Sequence, residues 1–112
     1  MKTSIIVKWD QEGSHNWPNA PPLYTFLASP HHHIFHFEVH IPVGGENREL
    51  EFLDVRQQLV KLYSAGCYNF YNRSCEMIAR ELADAIRVTW NVWPTKVVVM
   101  EDMFCGAEVI AE

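Results

Sequence analysis

The chain has 112 residues, enough for a single domain spanning 1–112 and too few for two. Hydrophobic residues make up 48% and charged residues 21%, a globular balance that excludes a disordered chain. Nine Lys and Arg against fourteen Asp and Glu leave a net charge of -5, which argues against nucleic acid as the partner, because phosphate binding needs a basic footprint.

Residues 1–9 lack a secretory apolar stretch followed by a cleavage site, so no signal peptide is expected. No apolar run approaches the roughly 20 residues that cross a bilayer, so no membrane partner is expected. Cys67, Cys75 and Cys105 contain no CxxC pair, and an odd count points to free thiols in a reducing, cytoplasmic setting. The conspicuous feature is histidine: all six lie between positions 15 and 40.

Residues 3–9 read as a strand, with Ile5, Ile6 and Val7 branched in succession. Residues 10–22 are rich in Gly, Asn and Pro, read as irregular, and carry His15 and Trp17. Residues 23–27 form a short helix or a packed loop. Residues 31–43 alternate with period two. His31, His33, Phe35, Phe37, Val39, Ile41 and Val43 make one face, and His32, Ile34, His36, Glu38, His40 and Pro42 the other. Residues 44–47 read as a hairpin turn and 48–53 as the returning strand, with Leu50 and Phe52 buried.

Residues 54–65 have Val55, Leu59 and Leu62 at helical spacing, with Asp54 as the N-cap. A loop follows over 66–73. Residues 74–87 form the second helix, capped by Ser74, with Glu76 in its first turn and Met77, Ile78, Leu82 and Ile86 on its apolar face. Residues 90–94 turn. Residues 96–100 form a strand whose Val97-Val98-Val99 run predicts burial on both faces. Gly106 breaks it, and 107–111 form a last strand. This order predicts an α+β fold, an antiparallel sheet with two helices on one face. Exposed strand edges and a small core favour an oligomer that joins sheet edges.

His31 and His33 share a strand face beyond its apolar stretch, so two imidazoles can reach one ion from the same side. A third His would complete the three-ligand pattern that leaves a tetrahedral position open. The candidates are His15, His36 and His40. In this register His36 and His40, like His32, point to the opposite face, whereas His15 is free of the strand period and is chosen. Zn2+ is the expected ion, because imidazole suits it and it needs no redox partner. The bland alternative is a metal-free structural subunit with histidines at a solvated strand end.

His15 in an early segment followed by His31-x-His33 resembles the metal triad of the 6-pyruvoyl-tetrahydropterin synthase family, which includes the bacterial 6-carboxy-tetrahydropterin synthases. Glu51-Phe52-Leu53-Asp54-Val55 is similar to the family's DF-x-x-[LV] segment, and Ser74-Cys75-Glu76-Met77-Ile78-Ala79 to its PT-x-E-N-[IV]-A helix start. Val97-Val98-Val99-Met100-Glu101 is similar to its late strand ending in a pterin-gripping glutamate. The resemblance implies a T-fold subunit: a four-stranded antiparallel sheet with two helices on one face. Such sheets join into a barrel in a homo-oligomer (trimer, tetramer or hexamer), with sites between subunits. It also implies that Glu101 anchors the ring of a pterin or purine-like heterocycle, a task for a carboxylate accepting two hydrogen bonds. Ser74 and Glu76 are further ligand-binding candidates.

The chain departs from the family at two places. Residues 26–30 contain no cysteine before the HxH pair, and residues 64–73 contain no Asp-His pair. Acid–base catalysis needs a group of suitable pKa within reach, so the catalytic residues are unknown. Cys75, Cys67, Cys105 and Asp102 are the possible replacements; Cys75 would sit at a helix N-terminus, where a thiolate is stabilised, but the favoured reading for it is a small buried residue. Two functions follow. One is a zinc-dependent lyase or synthase acting on a pterin. The other is a non-catalytic binder that sequesters a pterin- or nucleotide-like molecule on the same scaffold.

Overall fold

Two thirteen-residue strands, β1 (Thr3–His15) and β2 (His31–Val43), run antiparallel and pair along their whole length, from Thr3 opposite Val43 to His15 opposite His31. The computed structural model describes residues 1–64 and 66–112. After β2 come α1 (Phe52–Val60), β3 (Tyr68–Asn69), α2 (Cys75–Trp90), β4 (Lys96–Glu101) and β5 (Cys105–Ile110). Pro22–Leu27, between β1 and β2, is 3₁₀ with a kink at Tyr24, and Lys61–Tyr63, after α1, is a single 3₁₀ turn. No helix among the described residues is long and apolar enough to cross a membrane.

The fold is α+β, and its sheet has five strands in the order β3-β1-β2-β4-β5. It is mixed rather than antiparallel, because the two-residue β3 pairs parallel with β1 through Gly13 and Ser14. β1 runs six residues past the expected end at Trp9. Its second half lacks branched residues, yet β2 pairs with all of it. Gly13 fits there because an added Cβ would come within 2.7 Å of the Phe70 ring and 3.0 Å of Phe35.

Residues 48–53 do not return as a strand. β2 already has β1 on one side and β4 on the other, so neither side is open to residues 48–53. Phe52 instead opens α1, 52% exposed, and Leu50 is only half-buried. The cap is Glu51, whose side chain accepts from Leu53 N–H at 3.2 Å, not Asp54. The helix ends at Val60, Leu62 is exposed, and the expected last residue, 65, lies outside the described residues. α2 starts where Ser74 caps it and runs to Trp90, stopping at Asn91, which is left-handed at φ 57°. Met77 is 56% exposed rather than core, Val98 is half-buried, and Gly106 lies inside β5 rather than ending a strand.

One face of the sheet carries the core. Val7 and Trp9, then Phe35, Phe37, Val39 and Ile41, then Val97 and Val99 are buried beneath Val55 and Leu59 of α1 and Ile78, Ala79, Leu82 and Ile86 of α2. Each such side chain contributes roughly 1.5–3 kcal/mol by leaving water. Along β2 this apolar row gives way to His33 and His31, so the histidines stand where the core ends.

The other face is polar. His36 pairs with Asp10 at 2.6 Å, His40 with Glu38 at 2.6 Å, His32 with Glu12 at 3.3 Å and Lys8 with Glu38 at 3.3 Å. The hydrogen bond from His40 outweighs partial burial and, with Lys8, holds the Glu38 carboxyl below its ordinary 4.5. A depressed carboxyl stabilises the fold above its unfolded value, and that stability is lost as pH falls through the folded value. Urea denaturation above and below pH 4.5 should therefore show a larger acid-induced loss for the wild type than for Glu38→Gln. Equal losses would mean that the Glu38 pairing contributes nothing to folding.

Candidate metal centre

The pairing of β1 with β2 sets His15 opposite His31 and Gly13 opposite His33, so the three side chains rise from one face of two adjacent strand ends. One ring nitrogen from each of His15, His31 and His33 lies within 4.8 Å of the others. His15 is buried, and His31 and His33 are half-buried. The third candidate ligand, His15, was expected on a loop; it stands instead on a strand, held in register by the pairing itself.

Each ring is oriented through Nδ1. Nδ1 of His15 lies 2.9 Å from the Arg73 carbonyl, that of His31 3.0 Å from the Ser29 carbonyl, and that of His33 2.7 Å from Asp102 Oδ2. Carbonyl and carboxylate oxygens only accept, so each Nδ1 carries the hydrogen; Nε2 of His31 and His33 is left for the centre, while that of His15 meets Glu101. Metal-ligating histidines are held in this way. The His33 Nε2 is also buried without a hydrogen-bond partner, although Glu101 Oε2 is 3.4 Å away. A buried unpaired nitrogen is costly, and a cation on it would satisfy it. The donor set thus fits Zn2+, which takes three imidazoles and keeps a fourth position open.

Glu101, at the end of β4, closes the base of the centre. Its Oε1 is 3.1 Å from His15 Nε2 and accepts from Cys75 Sγ at 3.4 Å. Burial works against the charged His15 ring, but the hydrogen bonds from it to Glu101 and the Arg73 carbonyl prevail and raise its pKa above 6.5. The His15 hydrogen bond, opposed by burial, holds the Glu101 carboxyl low, helped by the charge of His33. Cys75 is the small buried residue that was favoured for it, not a helix-stabilised thiolate. Burial first, then the Glu101 charge, push the thiol well up, so it stays protonated at neutral pH. The Asp102 carboxyl is held low by the Ile34 N–H and then by His33.

A cleft of about 400 Å³ opens beside the triad. It is lined by Asn16, Trp17 and Leu27, by Asn72 to Met77, and by His15, His31, Glu101, Cys105 and Gly106. Trp17 N–H donates to the Leu27 carbonyl at 2.7 Å and Asn16 Nδ2 to the Ala28 carbonyl at 3.1 Å, tying the first of these segments together. The ligand-binding candidates Glu101, Ser74 and Glu76 all line the cleft, although Ser74 Oγ is also engaged as the α2 cap, accepting from Met77 N–H at 3.2 Å. Arg73 lines it too, but its guanidinium is paired with Glu81 at 2.6 Å.

Of the other candidates, Cys105 faces the cleft and Cys67 does not: its Sγ is 3.0 Å from His32 Nε2, on the polar face of the sheet. His36 and His40 share that face. Sequence reasoning missed Asn16, Trp17, Leu27, Asn72 and Arg73, which have no periodic signature; their only signal is adjacency to His15, to the 3₁₀ segment or to the α2 cap.

No family model matches the chain, and no curated protein does. Among solved structures the chain is similar to an uncharacterized protein, WS1659, from Wolinella succinogenes. The likeness covers 100% of this chain and 99% of that one, with a TM-score of 0.72 and 12% identity. At that identity the similarity is one of fold.

Proposed function

We propose that the chain is a subunit of a zinc-dependent protein like the 6-pyruvoyl- and 6-carboxy-tetrahydropterin synthases, acting on a pterin or purine-like heterocycle in the cleft beside the triad. The observation that carries this reading is the convergence of His15, His31 and His33, each ring anchored through Nδ1, at the edge of a cleft that Glu101 also lines.

His15, His31 and His33 would hold the ion through Nε2. When bound, it supplies a Lewis acid that polarises a carbonyl or hydroxyl of the ligand. Glu101, whose carboxyl is held low beside the histidines, would offer its acceptor oxygens to adjacent ring N–H groups. Cys75 stays protonated, with its S–H donating to Glu101, and is suited to neither acid nor base catalysis. Trp17 and Leu27 supply an apolar wall for a flat ring.

The subunit would assemble as a T-fold homo-oligomer of three, four or six chains in a reducing compartment, its sheets joined into a barrel. The long β1 edge that β3 covers at only two residues, and the open edge of β5, support such an assembly.

A second reading is a non-catalytic binder that sequesters a pterin- or nucleotide-like molecule on the same scaffold. The raised Cys75 thiol favours it, because the cysteine in contact with the centre neither gives up its proton readily nor offers a thiolate base. Metal analysis of untagged protein is expected to find about one zinc per chain, as a three-histidine site requires. A zinc-free protein unchanged in stability by His31→Ala would sink the first reading and weaken the second. With zinc present, sustained turnover of dihydroneopterin triphosphate identifies the enzyme. Thermal stabilisation by pterins without turnover, lost in Glu101→Ala, identifies the binder.

A further inference from the structure

Only one of the three groups that orient the histidines is a side chain. His15 and His31 lean on backbone carbonyls, of Arg73 and Ser29, whereas His33 leans on the carboxylate of Asp102. Asp102 sits just past β4 in the tight turn to β5, where it and Met103 are both left-handed, at φ 51° and 65°. That conformation is uncommon for residues other than glycine and best tolerated by Asp and Asn. Its consequence here is a three-point clasp on β2. Asp102 N–H donates to the Ile34 carbonyl at 2.9 Å, Oδ1 accepts from Ile34 N–H at 2.8 Å, and Oδ2 accepts from His33 Nδ1 at 2.7 Å. The carboxylate is therefore fixed in place before it meets the imidazole.

We propose that Asp102 is the positioning residue of the centre: it holds His33 as the Nδ1–H tautomer, aims Nε2 inward and thereby sets the affinity for a zinc-like divalent cation. This rests on the metal reading above. A carboxylate facing Nδ1 can only accept, so the ring hydrogen is on Nδ1 and the Nε2 lone pair is free. The His33 Nε2, buried without a hydrogen-bond partner, is the atom this arrangement offers to a cation. Asp102 moves from the acid–base role suggested by its sequence position to a purely orienting one.

The substitution Asp102→Asn separates orientation from folding. Asparagine keeps the left-handed backbone and can keep the Oδ1 bond to Ile34 N–H. Its amide then presents N–H to His33 Nδ1, which must accept, and the ring hydrogen moves to Nε2. Turning the amide over would set its NH₂ against Ile34 N–H, two donors face to face. Asp102→Gly, which also tolerates the backbone, deletes the acceptor and leaves the ring unheld.

The test has two arms. Nitrogen-15 NMR of the metal-free protein reads the His33 tautomer: Nδ1–H is expected in the wild type and Nε2–H in Asp102→Asn. Zinc titration against a chromophoric chelator is expected to show 10–100-fold weaker binding in Asp102→Asn and Asp102→Gly, the usual cost of losing an orienting partner. Asp10→Asn serves as the control. It breaks an equally short His–carboxylate pair, with His36 at 2.6 Å, on the other face of the sheet, and should leave zinc affinity unchanged. A folded Asp102→Asn that binds zinc as tightly as the wild type, or a wild-type His33 with its hydrogen on Nε2, overturns the proposal. If the wild type binds no zinc, the metal reading falls, and with it the affinity role; the NMR arm still decides whether Asp102 sets the tautomer.

Discussion

Replacing His15 with alanine is expected to abolish zinc retention, weakening binding beyond the roughly 100-fold that loss of an orienting partner brings. Of the three proposed ligands His15 is the most buried, and both its nitrogens face fixed groups, the Arg73 carbonyl at 2.9 Å and Glu101 at 3.1 Å. Its removal also leaves the half-buried Glu101 carboxylate without its main partner. The loss of a buried hydrogen-bond partner costs about 1–3 kcal/mol, so the variant should be less stable even without metal. Adding Glu101→Gln to His15→Ala removes the stranded charge, and the pair should destabilise by less than the sum of the two. Chelator-competition titration and urea denaturation of the four proteins check both statements. Stoichiometric zinc of wild-type affinity in His15→Ala would remove His15 from the centre.

The parts of the fold legible in the sequence are those whose pattern is local. β2 matched its residue range because alternation over thirteen positions leaves one register that buries Phe35, Phe37, Val39 and Ile41. α2 was legible because Ser74 caps it and its apolar face repeats at helical spacing. What was illegible depends on partners distant in the chain. Residues 10–15 have no strand signature of their own and become β1 because β2 lies beside them and Phe70 fills the space above Gly13. Residues 48–53 have some strand character, but both sides of β2, the strand they follow, are taken by β1 and β4.

The centre divides in the same way. His31 and His33 follow from strand period alone. His15 was selected for its freedom from that period, yet it reaches the site because it obeys the period of a second strand. The contacts of Glu101 with His15 and Cys75 span three elements, and no spacing within one element encodes them. The Cys75 thiol shows why a helix N-terminus alone is a poor guide to reactivity: burial and a neighbouring carboxylate outweigh it.

Gly106→Ala tests whether β5 lies on β4 in the register described, with Met100 opposite Gly106 and Glu101 opposite Cys105. A Cβ at position 106 would stand 2.0 Å from the Val99 carbonyl oxygen and 2.7 Å from Met100 Cα. Both are backbone atoms, which cannot rotate away as a side chain can, so the start of β5 must lift off β4. The expected loss is roughly 3 kcal/mol, the upper part of the overpacking range, or about 12 °C in Tm for a chain of this size. Zinc affinity should respond differently. Cys105 and Gly106 line the cleft, but His15, His31 and His33 stand on β1 and β2, so the substitution should disturb the cleft wall and the Glu101 strand end while leaving the triad assembled. Differential scanning calorimetry with and without zinc separates the two effects: a large fall in Tm in both states, with most of the zinc-induced stabilisation retained. An unchanged Tm would show that β5 takes a different register on β4. Complete loss of zinc binding in a folded variant would place part of the ligand set at the β4–β5 turn.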